Sequence, residues 1–312
     1  MSQTTRIQIT DVSKIYDTGS KKVEAVKNFT ESVKDGEFVS IVGASGCGKT
    51  TLLWCLSGLH PATSGTVHID GELLSKPLPD RIGMVFQDSN LLPWRTLIEN
   101  IEFPFQVKKK PVNHELINEL LEVAGLKGFE NSYPGELSGG MKQRGSIVRA
   151  LAQDPEVLLM DEPFGATDTI TRIRLQNEFR SLQRELKKTV VFVTHDFEEA
   201  LLLGDRIAVL SDQSKVEQYG TPLEILSNPK SDKVKSFVGD SASVRMLALV
   251  PISSVTLLEG SVDGPTLSEK ATLREAMDQF IQGHTKVNVG QSKHLTFDAL
   301  QKAISHAKAS VN

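Results

Sequence analysis

The chain has little cysteine, no long hydrophobic run and no excess of basic charge, and each shortage removes a class of function. Two cysteines, Cys47 and Cys55, in 312 residues cannot build a disulfide framework, and their placement suits no structural metal site. The longest apolar runs, such as Val190 to Val193, are strand-sized and fall far short of the roughly 20 residues that cross a bilayer as a helix. Lys and Arg number 35 against 39 Asp and Glu, a formal net charge of −4, so there is no electrostatic case for a nucleic-acid partner. The opening Met1 to Thr5 is short and polar with no apolar stretch behind it, which argues against a targeting segment. A cytoplasmic protein is expected, one whose dealings with a membrane run through partner chains.

What is present is a balanced globular composition. A hydrophobic content of 39% with 24% charged residues allows a full core and leaves room for an appended module. Arg6 to Val12 alternates apolar and polar residues as a half-exposed strand does. Glu37 to Val42 reads as a second strand running into Gly43, and a helical pattern follows from Lys49 to a stop at Gly58. Further strands are expected at Arg81–Phe86, Val157–Met160, Thr189–Val193 and Arg206–Leu210. Helices are expected at Asn113–Ala124, Gly139–Ala152, Asp168–Lys187 and Phe197–Leu203. Strands alternating with helices predict a parallel sheet covered on both faces, and the helical block from about Leu97 to Ala152 interrupts that alternation as an inserted subdomain. Composition shifts at Asp240–Ala242. The tail beyond carries a Gly and Pro-rich stretch at Gly260–Pro265, helical patterns at Thr272–Ile281 and Thr296–Ala307, and a strand from Lys286. It reads as a small α/β appendage.

Two motifs carry phosphate chemistry. Gly43-Ala44-Ser45-Gly46-Cys47-Gly48-Lys49-Thr50 fits the P-loop pattern between a strand and a helix. Its glycines let backbone N–H groups curl around phosphate oxygens at a helix N-terminus. Lys49 is placed to reach the β- and γ-phosphates of a nucleotide, and the Thr50 hydroxyl to reach Mg2+. Val157-Leu-Leu-Met-Asp161-Glu162 ends an apolar strand on two acids, at the strand end where sheets of this type bind ligands. Asp161 is expected to hold Mg2+ through water, and Glu162 to act as general base on the attacking water.

Leu137-Ser138-Gly139-Gly140-Met141-Lys142-Gln143-Arg144 separates this chain from other P-loop proteins, because it resembles the signature of the ABC ATPase family. The resemblance covers about Arg6 to Val238, and further residues follow the family order. Tyr16 resembles the aromatic residue that stacks on adenine. Gln87 resembles the glutamine that senses Mg2+ and the membrane partner. Asp168, in Gly165-Ala-Thr-Asp168, resembles the aspartate that crosses the dimer interface, and His195 the histidine that contacts the γ-phosphate. Lys49, Thr50 and Thr51 stand where the family binds phosphate and metal. The sequence departs from the family pattern at Met141, at Thr51, at Thr167 before Asp168, and at Gly145 in the signature helix. A glycine there is expected to weaken the helix by up to about 1 kcal/mol.

The resemblance implies an α/β P-loop ATPase of ABC type at residues 1–240, with a helical subdomain at about 97–152 and an accessory domain, open to a regulatory role, at 241–312. It implies ATP and Mg2+, and a homodimer or paired ATPase subunit in which Ser138 and Gly140 serve the partner's nucleotide. It also implies integral membrane permease subunits with an extracytoplasmic solute-binding protein, and a place on the cytoplasmic face of the membrane. Phe86 to Ile101 looks like the nitrate, sulfonate and taurine importers. Ser243-Val-Arg-Met-Leu, Ala271 to Ala276 and Leu295 to Leu300 are similar to the tails of glycine betaine and choline importers. The region after Gln87 is the expected contact with the membrane subunits, where Leu91-Leu-Pro-Trp94 offers apolar surface for a short cytoplasmic helix of the channel.

Overall fold

The computed structural model describes residues 4–17, 19–165, 187–239 and 242–302, with Arg172, Ile173, Gln176, Asn177, Phe179, Arg180 and Gln183 between. Contacts divide the chain into two compact units, Met1–Val216 and Glu217–Asn312. The compositional shift expected at Asp240 starts on residues outside those described.

In the first unit, β1 (Thr5–Asp17) pairs antiparallel with β2 (Lys22–Lys34), matching Ile7 to Val33 and Val12 to Phe29. Alternation turns Ile7, Ile9, Val26 and Phe29 into the core. The β1 strand is longer than its sequence pattern indicated because register shifts around Asp11 and Asn28, both with positive φ, break the alternation. On its other edge β1 pairs with β4 (Ser64–Ile69), which turns into β5 (Glu72–Leu73).

A second sheet holds β3 (Phe38–Gly43), β6 (Ile82–Val85), β7 (Val157–Asp161), β8 (Thr189–Thr194) and β9 (Arg206–Leu210). Their order is β9-β3-β8-β7-β6, and every pairing among them is parallel. All residues of β3, β7 and β8 are buried, as strands covered on both faces must be. Register matches Val42 to Thr194 and Val193 to Asp161. Gly43, Thr194 and Asp161 therefore end three neighbouring strands side by side, at the carboxyl edge where open sheets bind ligands. At the opposite edge, Arg6 reaches Asp35, Asp70 and Glu156, and Arg81 reaches Asp70, Glu72 and Glu156, which ties the two sheets together.

Helix α1 (Lys49–Ser57) follows β3, and its C-cap Gly58 is left-handed as expected. The inserted block holds α2 (Leu97–Lys108), α3 (His114–Val123) and α4 (Gly139–Leu151). Their apolar faces share one core through Leu97, Ile101, Ile117, Leu121, Ile147 and Val148. Gly145 has a packing reason that the sequence does not show. A Cβ there would stand 2.7 Å from Leu97 Cδ1, so its absence lets α2 lie close against α4. Helix α5 (Phe197–Leu203) follows β8. The helix expected at Asp168–Lys187 falls largely outside the described residues.

The second unit holds short helices α6 (Pro222–Ser227), α7 (Asp232–Val238) and α8 (Ala242–Leu249), then β10 (Leu258–Glu259), β11 (Thr266–Leu267), α9 (Leu273–Ile281), β12 (Lys286–Val289) and β13 (Lys293–Thr296). Its sheet runs β10-β13-β12-β11 over a small core of Leu247, Ile252, Leu273, Ala276, Val289 and Leu295. Thr296 closes a strand, so the helix expected from Thr296 begins one residue later. No described helix is long and apolar enough to cross a membrane.

Candidate functional site

The loop between β3 and α1 is shaped by glycine where no other residue fits. Gly48 caps α1 at φ 107° with no side-chain cap, leaving the first N–H groups of the helix facing the loop. A Cβ on Gly48 would stand 2.1 Å from the Ala25 carbonyl oxygen and 2.5 Å from Ser214 Oγ. The loop is held from behind as well, since the Ser214 N–H donates to the Cys47 carbonyl at 2.7 Å and the Ser214 hydroxyl donates to it at 3.2 Å. Lys49, only 5% exposed, donates to the Gly43 and Ala44 carbonyls at 2.8 and 3.0 Å. Its ammonium is thus folded inside the curve of the loop. Burial pushes the Cys47 thiol up, against the pull of Lys49. Ser45 and Gly46 are exposed at the loop tip, and Thr51 is half-buried in the first turn of α1.

The Thr50 hydroxyl donates to Asp161 Oδ1 at 3.2 Å across the sheet end. A hydroxyl and a carboxylate side by side make a hard-oxygen pair that fits Mg2+. Among the described residues no cluster of three His, Cys, Asp or Glu side chains could hold a metal, and Mg2+ characteristically takes few protein ligands and fills its shell with water and substrate phosphate. Burial raises the Asp161 carboxyl above its ordinary range and the charge of Glu162 adds to this, while the Thr50 hydrogen bond and Lys49 oppose it.

Glu162 leaves the strand with φ 45°, rare for a residue with a side chain, while its N–H still donates to the Val193 carbonyl at 2.9 Å. The kink sends its carboxylate towards the neighbouring strand end, where Glu162 Oε2 lies 3.0 Å from His195 Nδ1. Glu162 is largely covered and His195 mostly exposed, so the pair opens to solvent on the histidine side. A network that the sequence reading did not single out fixes the histidine turn. Asp196 caps α5 by accepting from the Glu198 and Glu199 N–H groups, and the Thr194 hydroxyl donates to Glu199 Oε2 at 2.7 Å. Gln176 Nε2 donates to Glu199 Oε1 at 2.9 Å. Burial raises the Glu199 carboxyl; the Thr194 hydrogen bond opposes it. The signal was available, because Asp196 followed three residues later by Glu199 before an apolar run is a helix-start pattern.

The structure brings Gly43 to Thr51, Asp161, Glu162 and His195 to one sheet edge. Gln87 is exposed just beyond β6. Tyr16 is half-buried, with its hydroxyl 3.0 Å from His60 Nδ1 and Lys14 Nζ 5.2 Å from its ring centre; His60 in turn packs on Trp54 of α1. Ser138 caps α4 by accepting from the Met141 N–H at 3.3 Å. Ser138 and Gly139 are exposed, and among the described residues no hydrogen bond joins Ser138, Gly139 or Gly140 to the loop at 43–51. Asp168 and Thr167 lie outside the described residues.

Residues 26–165 match the profile of the ABC transporter family. The aliphatic sulfonates import ATP-binding protein SsuB of Bacillus cereus is 43% identical over 66% of this chain and 81% of its own length. The glycine betaine/carnitine/choline transport ATP-binding protein OpuCA of Bacillus subtilis is 43% identical over 75% of this chain and 62% of its own length. Among solved structures, the ATP-binding cassette MJ0796, a dimer in a post-hydrolysis state bound to ADP and Pi, superposes with a TM-score of 0.64. It is 37% identical and covers 69% of this chain and 98% of that one. A P-loop ATPase fold with its strand-end acids in place, and relatives this similar over most of their length, lead to one assignment: the chain belongs to the ABC transporter family, as an ATP-binding subunit that hydrolyses ATP.

Proposed function

We propose that this ATPase energises import of a small solute, an anion such as nitrate, a sulfonate or taurine, through separate membrane permease subunits. The observation that carries the catalytic part is the joint placement, at one sheet edge, of Lys49 in its loop, Thr50 against Asp161, and Glu162 against His195. In this reading the N–H groups of Gly46 to Thr50 cradle the phosphates, and Lys49 exchanges its two loop carbonyls for β- and γ-phosphate oxygens. Thr50 and Asp161, with Gln87 at the rim, would hold Mg2+, which when bound would neutralise charge building on the phosphate oxygens. Glu162 takes the proton of the attacking water and orients it in line. His195, its Nδ1 3.0 Å from the Glu162 carboxylate, meets the γ-phosphate from the open side. Tyr16 stacks on the base.

The Ser138-Gly139-Gly140 turn, exposed at its first two residues, serves a second chain. A helix N-terminus capped by a serine and opened by two glycines can approach a phosphate closely, and the dimeric form of the ADP-bound neighbour supports a paired assembly; in this reading the pair is head-to-tail with nucleotide between the halves. Asp168 belongs to that same interface. ATP closes the pair because its γ-phosphate touches both halves, and hydrolysis releases it. Trp94, 71% exposed beside Pro93, is the apolar surface offered to a cytoplasmic helix of the permease. The protein then sits on the cytoplasmic face of the membrane, and an extracytoplasmic binding protein selects the cargo.

Similarity to the sulfonate importer subunit supports the anion reading. A second reading, import of glycine betaine or choline-type solutes, is supported by the similarity to OpuCA and by a folded unit beyond the cassette. Glu162→Gln tests the catalytic part: hydrolysis should fall roughly 100-fold or more while ATP binding persists, and light scattering should show a stable ATP-bound dimer. Unchanged turnover would refute it. Uptake of labelled taurine against labelled glycine betaine in cells with and without the gene decides between the solutes.

A further inference from the structure

The signature helix grips the segment that carries Gln87 from both sides. Gln143, 2% exposed, donates its side-chain N–H to the Phe86 carbonyl at 3.0 Å. Arg149, six residues further along α4, donates to the Ser89 and Asn90 carbonyls at 2.8 Å each. Between the gripped points Gln87 and Asp88 stand exposed, and Asn90 turns the chain at φ 46°. The same helix begins at Ser138.

Arg149 is an unusual choice for this place. It is half-buried, and among the described residues no carboxylate faces it. Burial alone lowers its pKa. Desolvating a guanidinium without an acid is costly, and a leucine would fill the same space at less expense. What Arg149 supplies instead is a planar fork that takes two successive carbonyls at once.

We propose that Arg149, helped by Gln143, is a positioning residue for hydrolysis that fixes Gln87 to the signature turn so that the two move as one body. This rests on the reading of Gln87 and Ser138 given above. Gln87 then reports the chain's own nucleotide while Ser138 touches the partner's, and the clamp links the two sites mechanically. A helix that shifts with Ser138 carries Phe86, Ser89 and Asn90 with it, because three hydrogen bonds to backbone oxygens leave the segment no independent path.

The test compares kcat and ATP affinity of the full chain with Gln87→Ala, Arg149→Met, Arg149→Lys, Gln143→Leu and the double variant Gln87→Ala/Arg149→Met. Methionine keeps the apolar stem and removes the fork. Arg149→Met should lower kcat roughly tenfold or more, as misplacement of a reacting group does, with the affinity for a fluorescent ATP analogue within about twofold. The double variant should be no slower than Gln87→Ala alone, because Arg149 acts through that residue. Lysine should restore part of the rate, reaching one carbonyl where arginine reaches two. Should Arg149→Met fail to fold, Gln143→Leu carries the same expectation at the Phe86 carbonyl. The proposal is overturned if Gln87→Ala slows hydrolysis while Arg149→Met and Gln143→Leu leave it unchanged, or if the losses multiply in the double variant. If Gln87→Ala itself leaves kcat intact, the underlying reading of Gln87 falls, and the clamp with it.

Discussion

Replacing Gly48 by alanine should damage the protein far more than the same change two residues away at Gly46. Both glycines have positive φ, 107° and 78°, so alanine at either carries backbone strain of roughly 1–2 kcal/mol. Their surroundings differ. Nothing lies within 4 Å of a Cβ built on Gly46, whereas one on Gly48 meets the Ala25 carbonyl oxygen at 2.1 Å. Ala25 precedes the fully buried Val26 in β2, so the obstacle is backbone anchored in the core rather than a side chain that can turn away. Overpacking of this kind adds about 1–3 kcal/mol. The sum for Gly48→Ala is about 2–5 kcal/mol, against about 1–2 kcal/mol for Gly46→Ala. At roughly 2–4 °C per kcal/mol for a unit of this size, melting without nucleotide should separate the two variants by several degrees. If the loop instead yields to relieve the clash, stability is kept and the phosphate cradle opens, and ATP affinity should then fall at least about tenfold. Differential scanning fluorimetry and ATP titration cover both outcomes. Equal melting temperatures with equal ATP affinity in the two variants would refute the reasoning.

Other perturbations follow from the same geometry. Burial pushes the Glu31 carboxyl up to about 7, against the pull of Arg206. The folded chain therefore keeps a proton that the unfolded chain loses near the ordinary 4.5, and stability falls as pH rises from about 4.5 to about 7. Glu31→Gln should accordingly stabilise the protein at pH 8 by about 1 kcal/mol, a value reduced for its half-exposure, and change nothing at pH 4.5; melting curves at both pH values check this. Asn100, fully buried, accepts from the Leu92 N–H and donates to the Leu92, Arg95 and Thr96 carbonyls. Asn100→Leu strands those groups at a cost of about 2–4 kcal/mol and should speed tryptic cleavage after Arg95. Glu199→Gln leaves one acceptor oxygen where the carboxylate accepts from both the Thr194 hydroxyl and the Gln176 amide. With Glu162 untouched, hydrolysis should drop several-fold with ATP affinity unchanged.

The chemistry was legible in the sequence wherever one residue type is required by what it must do. A turn that wraps phosphate needs glycine, and a sheet edge that holds a metal needs an acid, so Gly43 to Thr50 and Asp161-Glu162 announce themselves. The five parallel strands were readable for a related reason, since only unbroken apolar runs survive burial on both faces. β2 and β4 were not readable: the bulge at Asn28 breaks the alternation of β2, and the first three residues of β4 are all exposed. The residues that steady the site were also hidden. Ser214, Ala25 and Gln176 act through backbone or through a partner distant in sequence, and nothing in their own neighbourhood marks them. Gly145 looked like a defect in a helix until Leu97 was seen against it.

Glu162 holds its carboxylate in place with a backbone conformation that glycine would adopt more comfortably. Selection at this position therefore pulls in opposite directions. A lineage released from the need to turn over ATP would gain stability by losing the side chain, and drift there should be one-way. A glutamate kept at such a strained position is, in that sense, a record of continued use.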